Sequence, residues 1–191
     1  MKLTWTLLLI VLLIAFVSCG RRPDGNYRYD QYLPTDTLVI NCDSVFNETG
    51  YYVRLFTYDS RLENRYNAIF VFGQTISGGE ERIYVDSLYS KVGQVSFMDI
   101  NQDGTKDILI QHDSDVRSNW TYHLFLTDLR GRRLNRVRGF DQVRNPRVNT
   151  DAGIIESRVS SGTNYIEFYK LVNKDSIYKY DLLVYDTLDD K

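Results

Sequence analysis

The sequence predicts an all-β protein, with a single domain formed by an antiparallel meander whose sheet is propeller-like or barrel-like. Fifteen tyrosines and only three prolines occur among the 191 residues. Short runs of aromatic and β-branched residues alternate with Gly, Asn and Asp, which is the composition of strands and turns. The linkers between runs hold turn signals such as Ser77-Gly78-Gly79 and Asn173-Lys174-Asp175. Strands joined by such short turns form an antiparallel meander.

Ten strands are predicted in chain order. The clearest hairpin is the last one, because polar and apolar residues alternate on both sides of the turn at 173–175, as they do in strands with one packed face. A short helix is conceivable only at 35–44, but its central Leu38-Val39-Ile40 favours a strand. The predicted strands are 37–41, 51–58, 66–73, 82–88, 94–98, 107–112, 121–127, 153–159, 164–172 and 177–185.

The N-terminus has the pattern of a secretory signal peptide over residues 1–18. One Lys precedes an apolar run that is shorter than the roughly 18 to 20 residues of a membrane-spanning helix. Phe16-Val17-Ser18-Cys19 resembles the lipobox of bacterial lipoproteins, in which the cysteine is acylated. This resemblance implies lipidation at Cys19, followed by a tether up to residue 35, and attachment in the cell envelope at the periplasmic face of the outer membrane. The strand-rich remainder at 36–191 is predicted to be a β-rich calcium-binding domain. An ordinary signal peptide with an incidental Cys19 is the alternative.

The formal net charge is −2, which favours neither nucleic acid nor anionic lipid as a partner. The chain has two cysteines, so lipidation of Cys19 would leave Cys42 as the only thiol and exclude an intrachain disulfide. Cys42 follows the run Leu-Val-Ile-Asn with no histidine or cationic cluster beside it, which indicates a half-buried strand residue and not a nucleophile.

An acidic loop lies between the predicted strands that end at Met98 and begin at Asp107. Oxygen-bearing residues occupy its first, third, fifth and ninth positions, and Gly104 permits a sharp turn. Calcium prefers six to eight oxygen ligands at about 2.3–2.6 Å, and alternate residues of a tight loop can converge on one ion. The predicted calcium ligands are the side chains of Asp99, Asn101, Asp103 and Asp107 and the backbone carbonyl of Thr105.

This calcium loop is not an EF-hand, because its twelfth position is Ile110 where that loop has a bidentate Glu. With strand-like flanks, it resembles the loop of the FG-GAP and VCBS repeats of integrin-type β-propellers. The resemblance implies a bound calcium ion, with a structural role because every ligand comes from one segment. An Asx-rich hairpin turn without metal is the alternative.

No catalytic site is expected. The sequence contains no HExxH, CxxC, GxSxG or P-loop motif. Its two histidines, His112 and His123, lie in predicted strands, and neighbouring Asp113 and Ser114 do not by themselves make a triad. The chain is therefore predicted not to be an enzyme.

Two loops are candidates for recognition of a partner. The polar segment 113–120 contains Arg117 and Trp120, which are typical interface anchors, although a solvated turn with Trp120 in the core is equally compatible. The segment 161–165 contains Ser161, Gly162 and Tyr165. It resembles the serine-glycine-tyrosine loop by which periplasmic inhibitors plug the active site of invertebrate-type lysozymes, and an ordinary glycine-containing turn is the alternative. The five arginines at 130–138 are interpreted as a solvated hairpin.

From Phe97 to the C-terminus, the order of acidic loop, strands and tyrosine-rich hairpin is similar to a family of periplasmic lipoproteins. That family includes the immunity protein of a xanthomonad type IV secretion effector. The resemblance implies a calcium-bound, propeller-like β fold that inhibits a lysozyme-like peptidoglycan hydrolase. The first functional hypothesis is thus a non-enzymatic, lipid-anchored protein that binds a protein partner in the envelope. The second is a glycan-binding module or weak carbohydrate-active lipoprotein, with tyrosines as sugar platforms.

Overall fold

A computed structural model describes residues 33–62 and 65–186, without the side chains of 60–62. The predicted signal peptide, Cys19 and the tether up to residue 32 lie outside the described residues. The described residues from Pro34 onward belong to one compact unit. Its strands are β1 (Asp36–Asn41), β2 (Tyr51–Leu62), β3 (Tyr66–Ile76), β4 (Gly79–Leu88), β5 (Val95–Met98), β6 (Asp107–Ser114), β7 (Trp120–Asp128), β8 (Arg133–Val137), β9 (Pro146–Asn149), β10 (Ile154–Val159), β11 (Tyr165–Val172) and β12 (Ser176–Tyr185).

The strands form three four-stranded antiparallel sheets, each paired in chain order. Sheet A contains β1 to β4, sheet B contains β5 to β8, and sheet C contains β9 to β12. The predicted all-β antiparallel meander is confirmed, and a four-stranded meander is also the unit of a β-propeller blade. The barrel-like alternative is wrong for the described residues, because none of the three sheets closes on itself.

All ten predicted strands are present, and two more were not predicted. Strand β8 falls within the arginine-rich segment that was interpreted as a solvated hairpin, so that interpretation is wrong in part. Its Leu134 and Val137 are buried, while its charged residues find partners on other strands. Strand β9 has only four residues and begins with Pro146, a position where a strand tolerates proline. The segment 36–41 is a strand as predicted, and a one-turn helix α1 (Asp43–Phe46) begins just after it.

Sheet B packs against sheet A through one face. Side chains of Ile108 and Ile110 on β6 and Phe125 on β7 share a buried cluster with Phe70 and Phe72 of β3. The Phe125 ring lies 4.7 Å from the Phe70 ring, between centroids. This cluster is the larger of the two cores and fixes sheet A on sheet B.

The opposite face of sheet B packs against sheet C. Residues adjacent to these in the same strands, Leu109 on β6 and Leu124 on β7, share a second cluster with Ile155 of β10 and Tyr169 of β11. Because successive side chains of a strand point to opposite faces, β6 needs apolar residues at consecutive positions to contribute to both cores, and it has them at 108–110. The continuous run Ile108-Leu109-Ile110 is the sequence signature of this middle sheet.

Among residues 33–62 and 65–186, no helix has the length and apolar character needed to cross a membrane.

Candidate functional site

The acidic loop connects β5 to β6, as predicted, and Asp107 anchors it. Asp107 has no exposed surface. Its Oδ2 accepts a hydrogen bond from the backbone N–H of Ile100 at 2.9 Å, and its Oδ1 accepts one from the N–H of Thr127 on β7 at 3.0 Å. Burial raises the pKa of Asp107 to about 6, although these backbone donors lower it. One carboxylate therefore ties the loop to the edge of the adjacent strand.

The rest of the loop is stabilised by hydrogen bonds between residues within the loop. The carboxylate of Asp99 accepts N–H hydrogen bonds from Asp103 at 3.2 Å and from Gly104 at 2.9 Å. Asp103 in turn accepts the N–H of Thr105 at 2.8 Å, and the amide of Asn101 donates to Asp103 at 2.8 Å. Gly104 has φ +86°, a left-handed conformation that favours glycine. The predicted ligands thus lie in one tight Asx-rich turn.

The predicted ligands fit calcium in chemical type. All are hard oxygen donors, and an ionised carboxylate has about four lone-pair positions, of which Asp99 and Asp103 each use two within the loop. Within the part of the chain that the structure describes, however, no three His, Cys, Asp or Glu side chains are grouped so that they could hold a metal ion. The ligand set is present, but its carboxylates already accept hydrogen bonds from backbone N–H groups and from the side-chain amide of Asn101.

The two candidate recognition loops meet at one end of the molecule. Asn119, at the end of the β6–β7 loop, donates from Nδ2 to the backbone carbonyl of Ser160 at 2.8 Å. The N–H of Ser160, at the start of the β10–β11 turn, donates back to Asn119 Oδ1 at 2.7 Å. This reciprocal pair joins residues 41 positions apart. We call the residues 115–120 and 161–165 together the two-loop surface.

The two-loop surface exposes the predicted contact residues to different extents. Arg117 and Gly162 are exposed, whereas Ser161, Tyr165 and Trp120 are partly buried. Trp120 therefore begins β7 without being buried in the core, contrary to the core alternative. Val116, which was not singled out in the sequence, is fully exposed at the tip of its loop.

The residues that build this surface are asparagines that sequence reasoning missed. Asn119 is 3% exposed and also binds the Asp115 carboxylate at 2.7 Å. Asn145 accepts the N–H of Trp120 at 2.9 Å and donates to Asn119 at 3.2 Å. Asparagine is an ordinary loop residue, and its partners here come from three distant segments. No local pattern identifies such a network.

The two histidines contact each other but form no triad. Their ring centroids are 4.7 Å apart, and His112 Nδ1 lies 3.1 Å from the Thr121 hydroxyl. His123 is buried: its Nε2–H donates to the carbonyl of Tyr89 at 3.0 Å, and its Nδ1 accepts from the Arg136 guanidinium at 3.1 Å. Burial, then the charge of Arg136, lowers the pKa of His123 to about 4. This is a neutral structural histidine.

The arginine-rich segment and Cys42 are also structural. Four arginines of the segment make ion pairs, so its charge is largely neutralised within the protein. Cys42 is fully buried directly after β1, and burial raises its pKa to about 11, which makes it a poor nucleophile. The ion pairs are Arg132–Glu81, Arg133–Asp128, Arg136–Asp86 and Arg138–Asp175.

The acidic loop and the two-loop surface lie at opposite ends of β6, because Asp107 begins this strand and Ser114 ends it. The acidic loop braces β7 at Thr127, far along the strand from Trp120. No family model, no curated protein and no solved structure matches this chain.

Proposed function

We propose that this protein is a lipid-anchored, calcium-stabilised, non-enzymatic binding protein of the bacterial cell envelope that recognises a protein partner. The partner class we propose is a lysozyme-like peptidoglycan hydrolase, which the protein inhibits as an immunity or protective factor. Cys19 provides the anchor, and the acidic loop provides the calcium site.

The observation that supports partner recognition is the junction of two loops that are far apart in sequence. Asn119 and Ser160 hold them together through two hydrogen bonds. A preorganised loop loses less conformational entropy on binding than a mobile one. The surface also combines exposed Arg117 and Val116 with the partly buried aromatics Trp120 and Tyr165, a mixture typical of protein interfaces.

The first prediction concerns Arg117. We expect Arg117→Glu to weaken partner binding by at least about tenfold, because it reverses the charge of an exposed side chain of the two-loop surface. The measurement is a pull-down of envelope proteins with purified protein carrying Cys19→Ser, followed by affinity measurement and a lysozyme-inhibition assay.

The matched control is Arg82→Glu, an exposed arginine on β4 of sheet A, which should bind like the unmodified protein. Equal affinities for Arg117→Glu and Arg82→Glu would refute the assignment of the surface. A saturable polysaccharide interaction without any protein partner would refute the proposed function itself.

A glycan-binding module is the second candidate function. It is supported by a cleft of about 510 Å³ between the acidic loop, α1 and the β7–β8 turn. Amide, hydroxyl and charged side chains line this cleft, among them Asn101, Thr127, Asn135 and Lys174. Such groups suit the hydroxyls of a sugar. A polysaccharide-binding assay with the same purified protein distinguishes this candidate from the first.

The second prediction concerns calcium. We expect calcium to bind the folded protein and not the unfolded chain. At a free calcium concentration about a hundredfold above Kd, the melting temperature should then rise by about 5–10 °C, and a chelator should reverse the increase. Asp103→Ala should remove the difference, since it deletes one proposed ligand.

Asp151→Ala is the control, an exposed carboxylate in the turn before β10, and it should keep the full calcium response. Identical melting curves for the unmodified protein with calcium and with chelator would contradict the calcium proposal. That result would leave the partner prediction unaffected.

A further inference from the structure

A polar groove of about 340 Å³ lies where the end of sheet B meets sheet C, away from the acidic loop. It is lined by Gly139, Gln142, Arg144, Glu167, Tyr169 and Lys179, together with one isoleucine. Neither the proposed partner surface nor the calcium loop includes any of these residues.

Glu167 is the fixed carboxylate of the groove. It is 6% exposed, and both of its oxygens are engaged. Tyr169 donates its hydroxyl to Oε2 at 2.9 Å, and Lys179 donates to Oε1 at 2.5 Å. The Lys179 ammonium thereby neutralises Glu167, and each carboxylate oxygen keeps a further lone pair. These three side chains hold one another in place before any ligand arrives.

Arg144 is the uncommitted cation of the groove. Its backbone N–H binds the Ser157 hydroxyl at 3.0 Å, but its guanidinium has no hydrogen bond or ion pair with any described residue. Other described arginines without an ion pair, such as Arg117 and Arg147, are exposed to solvent, whereas Arg144 is partly buried. A guanidinium has five N–H donors, and leaving them unpaired becomes more costly as burial increases. The partly buried position of the Arg144 guanidinium therefore favours a hydrogen-bond acceptor supplied by a bound ligand.

We propose that this groove, which we call the Arg144 groove, binds a small monocarboxylate that also has an N–H or O–H donor. Arg144 pairs with the carboxylate through two parallel hydrogen bonds, as guanidinium groups do. The ligand's N–H or O–H donates to Glu167. Because Lys179 already balances Glu167, the residues that line the groove carry one net positive charge, which a singly charged anion neutralises. Asp115 is a carboxylate outside the groove that interacts electrostatically with Arg144, and it is exposed to solvent, which screens this interaction. A doubly charged phosphate would leave a negative charge beside Glu167.

The third prediction tests this groove with a defined probe, and its outcome is independent of the proposed partner. In an NMR titration of the purified protein, N-acetylglycine should shift the Arg144 side-chain N–H resonance and the backbone amides of Val143 and Lys179. N-acetylglycinamide, which lacks the charge, should not. Arg144→Gln should weaken N-acetylglycine binding by at least about tenfold.

Arg147→Gln, an exposed arginine on β9, is the control and should bind like the unmodified protein. Equal shifts with the acid and the amide, equal affinity of Arg144→Gln and Arg147→Gln, or tighter binding of inorganic phosphate would each overturn the proposal. If Arg144→Gln does not fold, the comparison of N-acetylglycine with N-acetylglycinamide on the unmodified protein still tests whether the groove binds a carboxylate.

Discussion

Replacing Phe125 with alanine is expected to lower the free energy of unfolding by about 3–5 kcal/mol. Phe125 has no exposed surface and lies on the face of sheet B that packs on sheet A. Its ring contacts Phe70 of β3 at 4.7 Å and Tyr84 of β4 at 5.6 Å, both between centroids. Truncation leaves a cavity between two sheets, and neither sheet can close it without moving strands.

The measurement is denaturant unfolding of Phe125→Ala beside Tyr178→Ala, a control on β12 whose side chain is 55% exposed. We expect the control to lie within about 0.5 kcal/mol of the unmodified protein, as most surface substitutions do. Similar small losses for both variants would contradict the stacking of sheet A on sheet B.

The second large effect is a loss of stability in acid caused by His123. Its folded-state pKa is about 4, below the ordinary value of 6.5, because burial and the neighbouring charges of Arg136 and His112 disfavour the imidazolium. As the pH falls from 6.5 to 4, the unfolded chain binds a proton that the folded protein does not. The contribution of neutral His123 to the free energy of unfolding is therefore fully present above pH 6.5. It is lost as the pH falls to 4, by an amount on the order of 3 kcal/mol.

The comparison that isolates this effect is with His123→Gln, which keeps a donor for the Tyr89 carbonyl and an acceptor for Arg136 but does not titrate. The comparison is necessary because the pH dependence of the contribution of Asp107 to stability is opposite to that of His123 over the same pH range. Its folded pKa is raised from 3.8 to about 6, so its contribution is lost as the pH rises between these values. Asp107 is present in both proteins and cancels in the difference. Parallel stability curves against pH for the two proteins would contradict a buried neutral His123.

Strand positions were predictable wherever the side-chain pattern was strong. The C-terminal hairpin alternates in sequence, and it forms as β11 and β12. Strand β8 was missed because its sequence, RLNRV, is as charged as a loop. Its arginines pair with carboxylates in the folded protein, and the partner of Arg136 is Asp86 on β4. A pattern confined to one segment contains no information about a neighbour fifty residues away.

Candidate sites formed within one segment were also predictable from the sequence, whereas sites formed by distant segments were not. The acidic loop was visible in sequence because all its predicted ligands lie within nine residues, and the structure places it between β5 and β6 as expected. The Arg144 groove was not visible, since Arg144, Glu167 and Lys179 come from separate elements. The partner loops were each proposed from sequence, but their contact through Asn119 was not.

The sequence by itself determined the all-β class, the ten strongest strands, the turn chemistry and the position of the acidic loop. These features depend on interactions between residues close together in the chain, such as side-chain alternation and hydrogen bonds from an Asp to nearby backbone N–H groups. Only the tertiary structure decided the stacking of three sheets, the joining of the two loops, the burial of His123 and the position of the Arg144 guanidinium, which has no hydrogen bond or ion pair with a described residue. Each of these features depends on which residues, distant in sequence, pack together and are removed from water. Removal from water is a property of the packed protein and not of any one segment.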